Sequence, residues 1–299
     1  MTLFVTGIES FIGTALARAA AARGIAVVGV DAQATDELGR HRADIRDPAI
    51  ADLMPQGADA VVHLAALSRD ADCRGQAAAC FDVNVMGTLN LIEAAQARGA
   101  RQFVFASSEW VHDSFAPGTE KTEDAPIDAA KLTSEYALSK LVSETNLRQQ
   151  AAHGFCPATV LRFGIVYGPR RSNWSAVEAL LNAVATQDEV AVGARATARR
   201  FIHVDDVAEG ILAALGWPRA YDVFNIQGPA LVTLGDVLDA ASEIVGRAPR
   251  IVETAPETPS IRAVSNRKAA VELGWTARIA LGDGLADVAR HLGLVPAAA

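Results

Sequence analysis

The chain has 299 residues, 51% of them hydrophobic and 21% charged, enough apolar material for one large α/β domain or two modest ones and too much for a disordered chain. A net charge of -8, from 27 Lys and Arg against 35 Asp and Glu, excludes the basic surface that phosphate contacts require. It argues equally against a protein held on anionic lipid.

The opening run MTLFVTG carries no basic stretch before it and no cleavage site after it, and reads as a first buried strand rather than a signal peptide. Further apolar runs at Ala26–Val30, Ala60–Leu64, Gln102–Ala106 and Ala158–Arg162 predict strands. Alanine-rich segments at Phe11–Arg23, Phe81–Arg98 and Ser134–Gln150 predict helices between some of them. This alternation predicts an α/β fold, a doubly wound parallel sheet of the Rossmann kind covered on both faces. Ligands of such a sheet bind at the carboxyl ends of its strands. After Tyr167-Gly168-Pro169 the elements shorten, and prolines cluster between Glu253 and Pro259. The expected division is a nucleotide-binding domain over 1–165 with a returning strand–helix–strand segment over 200–227. A smaller C-terminal substrate lobe takes 166–199 and 228–299. No apolar stretch is long enough to span a membrane. Cys73, Cys80 and Cys156 form neither a disulfide framework nor a metal-ligand pattern, so a reducing, cytoplasmic setting and no metal are expected.

The first strand runs into Thr6-Gly7-Ile8-Glu9-Ser10-Phe11-Ile12-Gly13. Gly7 allows a tight turn and Gly13 a close helix–strand approach. The free amides where the helix starts, at Ser10, Phe11 and Ile12, suit a pyrophosphate. Asp31 ends the second apolar run, where a carboxylate holds ribose hydroxyls and repels a 2′-phosphate, which favours NAD over NADP. Asp44 and Ile45 end a third short run and are expected to flank the adenine. Leu64, Ala65 and Ala66 are small enough for close backbone approach to a cofactor, whereas His63 reads as a packed strand residue.

Tyr136 and Lys140 stand at i and i+4 on one helical face. An ammonium there favours the phenolate and is expected to lower the tyrosine below its ordinary ~10. The phenolate can then take a proton from a carbinol while hydride leaves its carbon. Ser108, just past the fifth strand, is placed to hold the substrate oxygen.

The ordered set of segments resembles the extended short-chain dehydrogenases/reductases, the NAD-dependent epimerase/dehydratase family. These are TGIESFIG, Asp31, VVHLAA at 61–66, NVMGT at 84–88, the Ser108 strand end, YALSK at 136–140, LRFGIVYGP at 161–169, RRFIHVDDVA at 199–208, FNI at 224–226 and LGW at 273–275. The resemblance covers nearly the whole chain. It implies Tyr136 as catalytic base, Lys140 as its partner and ribose ligand, and Ser108 as the hydroxyl that orients substrate. It places Asn84 near the cofactor and implies NAD, a nucleotide-sugar substrate, and a homodimer through the helices of Asn84 and Tyr136.

The chain departs from the family's pattern on the substrate side. Ile165 replaces the asparagine that helps hold a substrate diphosphate. Arg199 matches one diphosphate-gripping arginine, but the second has no clear counterpart, Arg262 being out of register. Glu109 stands alone, with Trp110 where the family has glutamate, which disfavours dehydration; a rim or structural role competes with a substrate role for Glu109. His112 reads as a partly exposed loop histidine. The expected activity is NAD-dependent hydride transfer on a sugar carbinol, as a nucleotide-sugar epimerase. The alternatives are a net dehydrogenase or reductase of a non-nucleotide sugar or small hydroxy compound, and a silent NAD-binding sensor.

Overall fold

Each predicted apolar run becomes a parallel strand of one seven-stranded sheet in the computed structural model, which describes residues 1–35, 39–116 and 118–296. The strands are β1 (Thr2–Thr6), β2 (Ala26–Asp31), β3 (Arg40–Arg42), β4 (Ala60–His63), β5 (Phe103–Ser108), β6 (Ala158–Phe163) and β7 (Tyr221–Ile226). Their order across the sheet is β3-β2-β1-β4-β5-β6-β7. The chain therefore starts mid-sheet, runs out to one edge and returns to build the other. Strand order reverses between β1 and β4, where Thr6 lies beside His63. In an open α/β sheet that reversal opens the ligand crevice.

Side-chain alternation along buried strands feeds two cores. Leu3, Val5, Val62, Val104 and Leu161 point to one face, under helices α1 (Phe11–Ala21) and Val204–Ala213. Phe4, Val61, Phe103, Phe105 and Val160 point to the other, under helices α2 (Gly87–Ala97) and α3 (Glu135–Ala152). Full burial of each such side chain contributes about 1.5–3 kcal/mol.

Two predicted elements differ in extent. β5 runs on to Ser108, so Ser107 and Ser108 are the last ladder residues, paired with Arg162 and Phe163. The helix predicted over Phe81–Arg98 is broken into Ala77–Phe81, a π-helical turn Asp82–Met86, and α2. The third strand ends at Arg42, leaving Asp44 in the turn that follows.

Helices Ala176–Thr186, Leu234–Val245 and Leu281–His291 pack around a third core of Val177, Leu181, Val237, Leu238 and Leu285. A parallel ladder of Glu189–Val192 with Arg250–Glu253 flanks them. Farther along, Ala263–Val264 pairs with Glu120–Lys121. That pairing draws the segment after the proline cluster back over the end of β5.

Candidate active site

The turn after β1 is forced by its glycines. Gly7 has φ 74°, and a Cβ there would lie 2.8 Å from the Ala65 amide nitrogen. A Cβ on Gly13 would lie 2.2 Å from the Gly7 carbonyl oxygen. Either substitution would push the loop into the cleft. Ser10 has a use that the motif did not reveal: its Oγ caps α1, accepting from the Gly13 amide at 3.0 Å. The first intrahelical bond runs from Thr14 to the Ser10 carbonyl. The Phe11 and Ile12 amides precede it and are left to face an anion at the positive end of the helix. The Phe11 ring carries the Arg170 guanidinium 4.5 Å from its centroid.

Asp31 sits at the end of β2, and its two carboxylate oxygens accept from the Glu9 amide at 3.2 Å and the Gln33 amide at 2.9 Å. It thus ties the glycine turn to the second strand. Glu9 is in turn paired with Arg40 at 2.7 Å. Leu64, Ala65 and Ala66 follow β4 beside Gly7, with the Ala65 amide 3.3 Å from Thr6 Oγ1. Two expected adenine neighbours have other engagements. Asp44 holds Arg46, which lowers its carboxyl below the usual range, and Arg46 also bridges Asp82. Ile45 is a core residue packed against Gly87. His63 is a structural strand residue, bonded through its ring nitrogens to Thr6 Oγ1 at 2.8 Å and Thr88 Oγ1 at 2.9 Å. Burial, with help from Lys140, pushes it down to about 3.

Asn84 lies in the π-helical turn, a distortion that re-aims a helix face. Its side chain clamps both backbone groups of Leu67, accepting from the amide at 2.8 Å and donating to the carbonyl at 3.1 Å. It also donates to Ser139 Oγ at 3.0 Å. One amide therefore joins the loop after β4 to α3, one turn from the tyrosine.

Tyr136, Lys140 and Glu144 fall at i, i+4 and i+8, one above the other on α3. Each meets the end of β5. The Ser108 hydroxyl lies close enough to the Tyr136 phenol to draw its pKa down. Lys140 Nζ donates to the Ala106 carbonyl at 2.8 Å and lies 5.9 Å from the Tyr136 ring centroid. Glu144 accepts from Ser107 and, through both oxygens, from Arg162 at 3.0 and 2.7 Å. The expected depression of the phenol is not met: burial pushes Tyr136 up to about 12, outweighing the lowering effect of Ser108, and pushes Lys140 down to about 8. The ammonium faces a carbonyl and is itself desolvated, so it cannot ionise the phenol alone.

On the substrate side three expectations change. Glu109 is not at the rim: it is 1% exposed, opens the turn Glu109–Val111 after Ser108, and neither carboxylate oxygen has a hydrogen-bond partner. His112 is not a loop-surface residue but 1% exposed against Phe115, and burial pushes it down to about 3. Arg262, out of register in sequence, is in place in space. Its Nε lies 3.9 Å from Glu109 Oε1, and its Nη2 donates to the His112 carbonyl at 3.1 Å. The guanidinium stacks 5.4 Å from the Trp110 ring and 4.8 Å from the Phe115 ring. Arg199 is tied at Nη2 to Ser260 Oγ at 3.0 Å. Ile165 packs on the core of the second lobe. No spacing rule could find Arg262, because the β-pairing of Ala263–Val264 with Glu120–Lys121 brings it there.

Burial holds the Glu109 carboxyl at about 7, against an ordinary 4.5, despite Arg262 and Arg199. The folded state therefore binds this proton more tightly than the unfolded chain. Its stabilising effect is complete below pH 4.5 and is lost as pH rises through about 7. Denaturant unfolding of the wild type and Glu109→Gln at both ends of that window should show the wild type losing on the order of 3 kcal/mol relative to the variant. Parallel pH curves for the two proteins would show that the carboxyl does not titrate there.

Among the described residues no group of three or more His, Cys, Asp or Glu is arranged to hold a metal ion, and no helix is long and apolar enough to cross a membrane.

Residues 3–226 match the family described as NAD dependent epimerase/dehydratase. The chain is 28% identical to a UDP-glucose 4-epimerase of Mycolicibacterium smegmatis, across 96% of each chain. It is 31% identical to a dTDP-glucose 4,6-dehydratase of Streptomyces griseus, across 95% of this chain and 92% of the relative. Its fold superposes on the Thermus thermophilus UDP-glucose 4-epimerase complex with NAD with a TM-score of 0.83, at 27% identity, covering 98% and 99% of the two chains. A doubly wound sheet with its glycine turn at the strand-order reversal, a Tyr/Lys helix on β5 and this match together make the chain an enzyme of the NAD dependent epimerase/dehydratase family.

Proposed function

We propose that the protein oxidises a sugar carbinol by hydride transfer, working as an NAD-dependent epimerase of a nucleotide sugar. The observation that carries this reading is the meeting of Ser108, Tyr136 and Lys140 at the end of β5, on the cleft side of the strand-order reversal. The turn suits a dinucleotide: Gly7 and Gly13 leave no room for a Cβ, the Phe11 and Ile12 amides precede the first intrahelical bond of α1, and the Asp31 carboxylate is tied to the turn through the Glu9 amide. Bound NAD would supply the hydride acceptor and a positive charge near the phenol.

The chain's own groups do the rest. Ser108 accepts or donates at the carbinol oxygen and fixes it against the phenol. Tyr136 takes the carbinol proton and returns it, since an epimerase must restore the alcohol. Lys140, held by the Ala106 carbonyl, binds the ribose and keeps a cation one helical turn from the phenol. Arg199 grips the substrate's anionic end. We also read the protein as cytoplasmic, on its three free thiols. We read it as a homodimer through α2 and α3, with Met86, 56% exposed at the head of α2, as a contact residue.

A second reading, a dehydrogenase of a non-nucleotide sugar, is favoured by one observation: Arg199 is already engaged by Ser260 and Ile165 offers a diphosphate nothing. Purified protein mixed with NAD and UDP-glucose separates the two. An epimerase yields the inverted sugar with no accumulated NADH, and NADP does not substitute. NADH rising in step with a free sugar consumed, and none of the inverted nucleotide sugar, would reject the epimerase assignment.

A further inference from the structure

Buried polar groups are nearly always paired, because an unpaired one forfeits its hydration. Glu109 breaks this rule twice, with both oxygens, and Arg262 breaks it at Nε. The two unpartnered atoms face one another at 3.9 Å, too far for a bond of their own. An oxygen seated ~2.8 Å from each would subtend an angle of about 90°, close to the spread of donor and acceptor directions on a hydroxyl. Such a hydroxyl accepts from Arg262 Nε and donates to Glu109. A C–H group can do neither. Glu109 directly follows Ser108 in the chain, at the end of β5. Glu109 comes from the sheet and Arg262 from the segment after β7, so the pair spans the two lobes.

We propose that Glu109 and Arg262 form a hydroxyl-recognition pair, selecting substrates that carry a free hydroxyl beside the oxidised carbinol and rejecting their deoxy counterparts. The role rests on the sugar-carbinol reading above and assigns its specificity. The stacking of Arg262 on Trp110 and Phe115 gives the donor one fixed orientation, which a freely rotating cation would lack. Leaving such a site unfilled strands a buried carboxyl and a guanidinium, which is why deoxy analogues are rejected far more strongly than a lost contact alone would imply.

The test uses the full-length NAD-loaded protein with UDP-glucose, dTDP-glucose and the monodeoxy analogues of UDP-glucose. Transient NAD reduction and product inversion are the readouts. The expected result is that the wild type loses about 10²-fold or more in kcat/KM for at least one monodeoxy analogue. Glu109→Gln, which still hydrogen-bonds, should keep part of that discrimination. Glu109→Ala should abolish it, treating parent and analogue alike while keeping its bound NAD. A merely structural Glu109 would lower both substrates equally and leave their ratio unchanged. Equal use of every analogue by the wild type, as when only water fills the seat, overturns the proposal. So does discrimination that survives in Glu109→Ala. If neither nucleotide sugar reduces bound NAD, the functional reading fails first and takes this inference with it.

Discussion

Tyr136→Phe should reduce turnover by about 10²–10⁴-fold while leaving NAD affinity within a few-fold of wild type. On this reading the phenol oxygen of Tyr136, beside Ser108, is the base that takes the carbinol proton. Phenylalanine keeps the ring, its packing and the helix, so binding of the dinucleotide through Gly7, Asp31 and the start of α1 is untouched. Burial holds the phenol above its ordinary value. An unassisted phenol is a poor base at neutral pH, so the reaction needs the positive charge that arrives with the dinucleotide. Single-turnover hydride transfer and a binding titration on the same preparation check both halves. Turnover within threefold of wild type would remove Tyr136 from the chemistry.

The second large effect is on stability. Glu144→Ala should cost about 3–5 kcal/mol, because it strands the Arg162 guanidinium in the interior. The two side chains are 3% and 6% exposed and make a two-pronged pair, with Ser107 on the same carboxylate. Glu144→Gln, which keeps the volume and one acceptor, should cost less. Replacing both Glu144 and Arg162 by apolar residues of similar size should recover much of the loss. Denaturant unfolding of the four proteins decides it, and a loss under 1 kcal/mol in the alanine variant would be inconsistent with a desolvated pair. Since Glu144 lies two turns below Tyr136 on the same face, its pair with β6 also sets the height of the phenol over β5.

The fold was legible because it is written in local patterns. Continuous apolar runs such as Leu3–Val5 and Phe103–Phe105 can be buried on both sides only in a parallel sheet, and glycines at 7 and 13 permit only a tight strand-to-helix turn. The Tyr136/Lys140 spacing is likewise local, a matter of one helical turn. Less legible was the break of the Asn84 segment into a π-helical turn, because the extra residue is paid for by contacts at Leu67 and Ser139 that lie far off in the chain.

Sequence by itself determined the strand runs, the tight glycine turn after the first strand and the placing of Tyr136 and Lys140 on one helical face, since each depends on spacings of a few residues. Tertiary structure alone decided that Glu109 and His112 are buried and that Arg262 reaches Glu109. Those outcomes follow from which distant segments exclude water from a given side chain. Glu109 and Arg262 are 153 residues apart, and what joins them is a two-residue ladder and the desolvation it imposes.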